Sequence, residues 1–208
     1  MCTRSTSPRG RTGGRPRSAE ADAAILEATR EALVELGWSK LTMGDVAGRA
    51  GVAKTTLYRR WASKNELVVD AVAVLFDELE LPDLGSLAAD IAGVVVQFAA
   101  LLERPETKTA LMAVVAESTR DEPLRERIRA SIVDRQKRLV VAGRQRAQER
   151  GELPGSPASP GGTDDLIFDV VAGAVVHRAL VSAEPVDPEW VRRFTALLLG
   201  GLGAAART

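Results

Sequence analysis

Apolar side chains recur at steps of three and four residues along most of this chain of 208 residues. That spacing places them on one helical face and predicts helices, and no stretch shows the alternation typical of strands. Proline and glycine, as in 151–162, predict the breaks. The expected helices lie near 18–36, 43–49, 53–60, 86–103, 106–119, 122–150, 164–183 and 187–204, with another starting at a capping box formed by Ser63 and Glu66. The pattern predicts an all-α chain.

Two of the predicted helices are short and lie close together within 41–67. Thr42 can cap the first of them, and Gly51 permits the turn that follows. The second helix buries Val52 and Leu57, so its other side chains point outward, where they suit phosphates and base edges. Those outward residues are Lys54, Thr55, Thr56, Arg59 and Arg60. The pair has the form of a helix-turn-helix that reads DNA.

The residues around this turn resemble the signature of the tetracycline-repressor (TetR) family of transcriptional regulators. The matching positions are Ala47, Ala50-Gly51-Val52, Thr56-Leu57-Tyr58, Trp61 and Lys64. The resemblance implies a recognition helix led by the Gly-Val pair, with Tyr58 and Lys64 binding the DNA backbone. We expect Thr42 to help fix the protein on the backbone as well. The chain departs from the family at Gly44 and Ala53, where relatives often carry a longer side chain and a Ser or Thr cap.

Composition and charge narrow the class of protein. The only cysteine is Cys2, which excludes an intramolecular disulfide, and the chain lacks both a run of 18 apolar residues and a secretory signal. We therefore expect a soluble cytoplasmic protein that does not bind membranes. The formal net charge is zero, but residues 1–64 carry +6 and the remainder −6. The basic part is the expected DNA-binding end.

The first 17 residues carry five arginines and no acidic residue. With so few apolar residues they cannot build a core, and we expect a disordered basic arm before a three-helix DNA-binding domain over 18–64. Within the arm, Arg15 and Arg17 flank a proline in a Gly-Arg-Pro-Arg sequence that suits a narrow A·T minor groove. The alternative is a basic tail that only improves solubility.

The remainder, 65–208, is expected to be a helical ligand-binding and dimerisation domain. Its helix over 166–181 is apolar on nearly every face and needs partners to cover it. The segment 177–185 resembles that of a TetR subgroup whose last two helices pair with their symmetry mates in a four-helix bundle. A core within one chain is the alternative. The candidate dimer interface comprises Leu166, Val170, Gly173, Ala174, His177, Trp190, Phe194, Leu197, Leu198 and Gly201.

The family resemblance also implies an effector pocket among the middle helices. Its candidate wall comprises Val95, Phe98, Leu102, Leu111, Met112, Val115, Ile132, Phe168, Val171 and Val175, each of which could equally be plain core. His177 and Glu117 are possible polar anchors in a site that would suit an apolar or amphipathic molecule. The basic run over 135–150 has interleaved acidic residues, which favours a solvated helix face over a second nucleic-acid site.

These features favour a DNA-binding regulator over an enzyme. One histidine and one cysteine offer no plausible metal cluster, no glycine-rich phosphate loop follows a strand, and we expect neither a catalytic residue nor a cofactor. The expected partners are double-stranded DNA with a pseudo-palindromic operator, a second copy of the chain and an unidentified small-molecule effector. The main hypothesis is a repressor released by that effector. The alternative is a dimeric architectural DNA-binding protein without effector response.

Overall fold

The computed structural model describes residues 16–154 and 162–205, and these residues contain helices and no strand. The prediction of an all-α chain is confirmed. The helices are α1 (Pro16–Lys40), α2 (Met43–Arg49), α3 (Lys54–Tyr58), α4 (Lys64–Phe76), α5 (Leu87–Glu103), α6 (Pro105–Ser118), α7 (Glu122–Ile128), α8 (Asp134–Glu149), α9 (Thr163–Val176) and α10 (Pro188–Ala205). A π-helical turn over Arg129–Val133 joins α7 to α8, and a second, His177–Val181, extends α9.

The first helix is longer than predicted at both ends. It begins at Pro16, inside the expected arm, which a proline permits because its missing N–H has no partner in a first helical turn. Gly37 interrupts the helical geometry as expected, with a φ of 74°, but one further turn follows it to Lys40. Only a residue without a Cβ adopts this backbone conformation readily. Gly37, where we predicted the end of the helix, is therefore a kink within α1.

α1 to α4 enclose the core of the N-terminal part. Ile25, Leu33, Leu57 and Leu67 are fully buried there. α4 packs on α1 and also on α6, α7 and the π turn at 129–133, so the helix belongs to both halves of the molecule. The expected domain boundary between residues 64 and 65 thus falls at the start of a shared helix.

The N-terminus of α4 has half of the predicted capping box. Ser63 Oγ accepts a hydrogen bond from Glu66 N at 3.2 Å, as expected. The Glu66 carboxylate, however, accepts from Ala62 N at 3.1 Å rather than from the backbone of Ser63. The prediction of the reciprocal hydrogen bond is therefore wrong. The chain bends at Ala62 and Ser63, so the N–H of Ala62 rather than that of Ser63 reaches the Glu66 carboxylate.

The basic run over 135–150 is only partly the solvated face that we expected. Lys137 pairs with Asp165 at 2.8 Å and Arg144 with Asp164 at 3.0 Å, which ties α8 to α9. Arg150 pairs with Asp90 of α5 at 2.7 Å. The sequence showed the acidic residues on the same helix, whereas these partners lie on other elements.

None of the helices in the described parts of the chain combines the length and apolar composition needed to cross a bilayer.

Candidate DNA-binding face and internal cavity

The helix-turn-helix is held by a reciprocal cap at the start of α2. Thr42 Oγ1 accepts from Asp45 N at 3.2 Å, while Thr42 N donates to Asp45 Oδ2 at 2.9 Å. Hydrogen bonds from the side chain and backbone of Thr42 hold the pKa of Asp45 below its usual value. The cap that we predicted for Thr42 is confirmed, and its hydroxyl is engaged within the chain. Gly51, with a φ of 64°, then makes the turn that a side chain would strain.

The recognition helix α3 presents most of the predicted DNA-binding residues to solvent. Leu57 is fully buried and anchors the helix, while Ala53 at the N-cap makes no side-chain hydrogen bond, as expected for alanine. The exposed members of the predicted set are Lys54, Thr55, Tyr58 and Arg59, and Thr56 is half-buried. Cationic, hydroxyl and phenolic groups therefore share one surface with free donors for phosphates and bases.

Gly44 and Lys54 form a contact that the sequence did not reveal. A Cβ built on Gly44 would lie 2.9 Å from both Cε and Nζ of Lys54, so the lysine side chain crosses α2 at the glycine. A longer side chain at position 44 would displace the lysine. The departure from the family pattern at Gly44 thus leaves room for a cation on the recognition helix.

Two predicted DNA-binding cations are engaged by their own chain. Arg60 forms an ion pair with Asp22 of α1. Lys64 Nζ donates to Trp38 O at 3.0 Å and lies 4.5 Å from the centroid of the Trp38 ring. These contacts fix both side chains against α1, which distinguishes them from Lys54 and Arg59. Arg15 lies outside the described residues, and of Arg17 only the backbone, within α1, is described.

A cavity of about 130 Å³ lies between α5, α8 and α9, next to the C-terminal end of α4. Its size is close to the ~150 Å³ of an engineered apolar cavity that binds benzene. The polar residues at the wall are Asp90, Gln136 and Arg144. The apolar wall comprises Phe76, Leu79, Leu81, Leu87, Ile91, Val94, Phe98, Ile132, Leu139, Val140, Leu153, Ile167, Phe168, Val171, Ala172 and Leu202, with Gly143 among them. Such a site suits a small and mainly apolar molecule.

The wall contains four residues of the predicted pocket: Phe98, Ile132, Phe168 and Val171. The remaining six lie elsewhere: Val95, Leu102 and Val175 are buried in the core, Leu111 is partly buried against it, and Met112 and Val115 are exposed on α6. The two suggested anchors, His177 and Glu117, are exposed and away from the wall. Helical spacing identifies buried residues, but it does not tell which of them border a void.

Asp90 is the one carboxylate among the described wall residues, and 1% of its side chain is exposed. It accepts hydrogen bonds from Leu84 N and from Arg150, both at 2.7 Å, and Arg146 lies 3.7 Å away. Burial by itself raises the pKa of Asp90, but these hydrogen bonds and the two guanidinium charges outweigh it and hold the pKa below its usual value. The Asp90 carboxylate is therefore ionised at neutral pH, and Arg150 and Arg146 neutralise its charge within the chain.

Asp70, in the middle of α4, contacts Trp61 in the segment between α3 and α4 and Arg127 of α7. This carboxylate accepts from Trp61 Nε1 at 2.9 Å and from two guanidinium nitrogens of Arg127, at 3.0 and 2.6 Å. The hydrogen bonds to Asp70 raise the pKa of Arg127. Trp61 lies three residues after the end of α3, so the side chains of Trp61, Asp70 and Arg127 connect the segment that follows the recognition helix to α4 and α7. Sequence reasoning missed this network because its members are widely separated along the chain.

The C-terminal end of α4 is held at the cavity. Gln136 Nε2 donates to the carbonyl oxygen of Phe76 at 2.8 Å, and Arg135 Nη1 pairs with Asp77 at 2.6 Å. Phe76 and Gln136 also line the cavity wall. A change at the wall can therefore act directly on the last residue of α4.

An apolar strip of α9 and α10 faces solvent in the isolated chain. On α9 it contains Leu166, Val170 and Gly173, and His177 follows at the start of the π turn; all four are exposed, at steps of four, three and four residues. On α10, Leu197 is 76% exposed and Gly201 is exposed, while Ala174 and Leu198 are half-buried. Trp190 and Phe194 stack with centroids 4.9 Å apart, and Phe194 is buried within its own chain. The strip therefore excludes Phe194, which contributes to the monomer core.

A helix-turn-helix with an exposed cationic face, joined through a shared helix to a helical domain with an internal cavity, defines a DNA-binding transcriptional regulator. Two family models match the sequence: bacterial regulatory proteins of the tetR family over residues 25–71 and the tetracyclin repressor-like C-terminal domain over residues 81–198. This chain belongs to the TetR family of transcriptional regulators.

Individual relatives extend over most of the chain. It is 26% identical over 196 residues to the HTH-type transcriptional regulator YdeS of Bacillus subtilis, covering 94% of this chain and 96% of YdeS. It is 30% identical over 180 residues to the DNA-binding transcriptional repressor TetR of Mycobacteroides abscessus, covering 82% and 87% of the two chains. The solved structure of the TetR family transcription regulator SCO0332 is 31% identical, with a TM-score of 0.71 and coverages of 88% and 98%.

Proposed function

We propose that this regulator is a homodimeric repressor that leaves its operator when a small, mainly apolar ligand occupies the cavity. The observation that carries the proposal is the position of α4, whose Asp70 contacts Trp61 beside the recognition helix and whose Phe76 lines the cavity. A ligand that alters the end of this helix can thereby alter the orientation of the DNA-binding face. Repression is supported by the repressor of Mycobacteroides abscessus, with its 30% identity to this chain.

DNA contacts are assigned by exposure. Lys54, Thr55 and Arg59 are free to reach base edges and phosphates, and Thr56 lies beside them. Tyr58 is 55% exposed and suits a backbone contact near the end of the helix. Arg60 and Lys64 are assigned to the edge of the DNA-binding face. To contact a phosphate, each must either leave its partner on α1, Asp22 or Trp38, or bind the partner and the phosphate together. Arg15 and Arg17 are assigned to the adjacent minor groove.

The dimer is supported by the exposed strip. Leu166 and Leu197 are 62% and 76% exposed, and an interface between two copies of the chain would remove such apolar side chains from water. Pairing of α9 and α10 with their symmetry mates would cover it. A two-fold dimer presents two recognition helices, so the operator is expected to be a pseudo-palindrome with half-sites about 34 Å or somewhat more apart.

Release of the operator is a population shift. The ligand binds more tightly to dimers whose recognition helices do not match the operator spacing, and operator affinity falls by the ratio of the two ligand affinities. The contacts available to transmit the change are those of Asp70 with Arg127 and of Gln136 with Phe76. Both connect α4 to the helical segment between Glu122 and Glu149 that carries part of the cavity wall.

An architectural DNA-binding protein is the second candidate, favoured by the basic first 17 residues together with the dimer strip, which suffice for binding without an effector. Sequencing the fragments that the purified protein retains from a genomic DNA library separates the two. The repressor proposal predicts recovery of one pseudo-palindromic sequence, bound at least a thousandfold more tightly than random DNA. Recovery of fragments with no common sequence would support the architectural candidate.

A further inference from the structure

Lys54 occupies the position from which a recognition helix reads bases. It is the first residue of α3, and its side chain is exposed. In helix-turn-helix proteins, the N-terminal residues of the recognition helix contact base edges in the major groove. A lysine ammonium at such a position donates to O6 and N7 of guanine. Lys54 is therefore the cation of the DNA-binding face that is best placed to select a base.

A lysine does not by itself select a base sharply. Its ammonium is a compact charge with three rotatable donors on a flexible four-carbon stem, so it can follow either a base edge or a phosphate. The selectivity of the residue therefore depends on what its stem rests against.

The stem of Lys54 rests against the backbone of α2 at Gly44. A Cβ built on Gly44 would lie 2.9 Å from both Cε and Nζ of Lys54, well inside the roughly 3.5–4.0 Å at which nonbonded carbon atoms pack. The end of the lysine thus occupies the space that any other side chain at position 44 would fill. The same Cβ would lie 3.4 Å from Thr42 Oγ1, so the threonine borders this space.

Charge attracts the ammonium to the same place. Asp45 lies in the same turn of α2, and its carboxylate is fixed by the cap with Thr42. The hydrogen bonds from Thr42 lower the pKa of Asp45 most, and the positive charges of Arg49 and Lys54 lower it further. The attraction between Lys54 and Asp45 therefore acts together with the open space at Gly44, and both belong to a rigid element.

We propose that Gly44 is a specificity-determining residue: by leaving the backbone of α2 bare, it holds the stem of Lys54 across α2 and directs the ammonium to one guanine in each operator half-site. Gly44 is a positioning residue and contacts no base itself. The inference rests on the sequence-specific DNA binding of the proposed repressor and names one base that this repressor reads. It requires Gly44 and Lys54 to act as one unit, although they lie on different helices.

Gly44→Ala and Gly48→Ala are matched variants for the test. Both replace a glycine within α2 by alanine, which favours the helix. A Cβ on Gly48 has nothing within 4 Å, whereas the atoms closest to a Cβ on Gly44 belong to the flexible end of Lys54. Both variants should therefore fold, with melting temperatures at or above that of wild type, and only Gly44→Ala should displace the lysine.

Selection from a library of randomised duplex DNA by the full-length proteins measures the base preference at each operator position. Wild type and Gly48→Ala should select guanine at the position where Lys54→Ala relaxes the preference. Gly44→Ala should reduce the preference at that position by about fivefold or more and keep the others, because a lysine contact of this kind discriminates by that factor. In the Lys54→Ala background, Gly44→Ala should change nothing further.

The other outcomes overturn the inference. A wild-type preference in Gly44→Ala would show that Lys54 reaches its base without the glycine, and a base other than guanine would refute the contact. A further change in the Lys54→Ala background would mean that the added methyl group meets DNA directly. A uniform loss of affinity over all sequences would assign Lys54 to a phosphate. If wild type selects no common sequence, the proposed repressor function fails as well, which distinguishes that result from failure of this inference alone.

A measurement on the wild-type protein alone keeps the inference testable if Gly44→Ala does not fold. The Hε protons of Lys54 should show a nuclear Overhauser effect to the Hα protons of Gly44, because Cε lies against the backbone at that residue. Absence of this effect would mean that the lysine does not rest on the glycine, and it would overturn the inference.

Discussion

The two functional ends of this molecule treat their charges in opposite ways. At the DNA-binding face, Lys54 and Arg59 are exposed, and the counter-charge must come from the nucleic acid. At the cavity, Asp90 and Arg144 are paired within the chain. The first end thus offers unpaired cations to a polyanion, whereas the charges at the second end are neutralised within the chain.

The comparison also explains the residues that lie between these extremes. Arg60 and Lys64 are cations near the recognition helix, yet their contacts with Asp22 and Trp38 hold them to α1. Their positive charge still contributes to the field that attracts DNA, while their geometry is set before DNA arrives. Sequence position alone would have grouped them with Lys54 and Arg59.

The largest effect is expected from Gly173→Leu, which should prevent the proposed dimer from forming and so abolish operator binding. A Cβ on Gly173 has nothing within 4 Å, so the monomer should fold, whereas the added side chain would separate two helices across the dimer axis. Light scattering should show monomers or aggregates, and operator binding should be lost with the helical circular dichroism retained. Ala142→Leu, at an exposed site of α8, is the matched control. An operator-binding Gly173→Leu dimer would contradict this placement of the interface.

Asp90→Asn tests the internal pairing of charges at the cavity. Loss of the carboxylate leaves Arg150 and Arg146 without their buried partner, and the free energy of unfolding should fall by about 3 kcal/mol. Asp83→Asn is the control, since Asp83 pairs with Arg150 at 3.1 Å but is 68% exposed, and its effect should stay within about 1 kcal/mol. Urea denaturation at pH 7 measures both. Equal effects of the two variants would mean that the buried pair does not stabilise the fold.

The difference in stability between wild type and Asp90→Asn should depend on pH, and the direction of that dependence is fixed. The pKa of Asp90 is lower in the folded chain than in the unfolded chain, where it is about 3.9. Its contribution to stability is therefore complete above the unfolded-state pKa and is lost as the pH falls through the folded-state pKa. The difference in unfolding free energy between wild type and Asp90→Asn should narrow in that acid range. A difference that grows on acidification has the wrong sign for this account.

A smaller effect is expected from single cations at the DNA-binding face. Lys64→Ala should weaken binding to all DNA sequences alike and reduce the slope of log affinity against log salt by about one. Lys54→Ala should in addition relax base preference, because Lys54 lies on the exposed face of α3. Titrations of operator and random DNA over a range of salt concentrations provide the test. Equal salt slopes for wild type and Lys64→Ala would remove Lys64 from the phosphate contacts.

The smallest change in the folded structure should follow deletion of residues 1–15, which leaves α1 whole and removes four arginines. Thermal stability should stay the same while operator affinity falls. Replacing flanking A·T pairs by G·C should weaken the full-length protein more than the truncated one, which keeps Arg17 but lacks Arg15 and the residues before it. Unchanged affinity at physiological salt would leave the segment as a solubilising tail.

Much of the fold followed from local sequence signals. The cap at Thr42, the turn at Gly51 and the apolar stripes around Leu33 and Leu57 depend on residues within a few positions, and the structure contains each of them. The π turn at 129–133 was not predicted, because one extra residue in a helical turn leaves the three- and four-residue pattern almost unchanged.

The sites were less predictable because they depend on contacts between distant parts of the chain. Val95 and Val94 are adjacent and equally apolar, yet Val94 lines the cavity and Val95 is buried in the core. Likewise, Asp70 and Arg127 are 57 residues apart, and nothing near either residue indicates the pair. Helical periodicity assigns a residue to a buried face, whereas its neighbours on that face are decided by the packing of whole helices.

Reciprocal binding is the measurement that tests most directly whether the two ends act as one device. A small, mainly apolar compound found by thermal-shift screening is titrated against the protein with and without operator, and operator is titrated with and without the compound. The account predicts that each weakens the other by the same factor, about 5- to 150-fold, as thermodynamic linkage requires. A compound that fills the cavity and leaves operator affinity unchanged would contradict the coupling through α4.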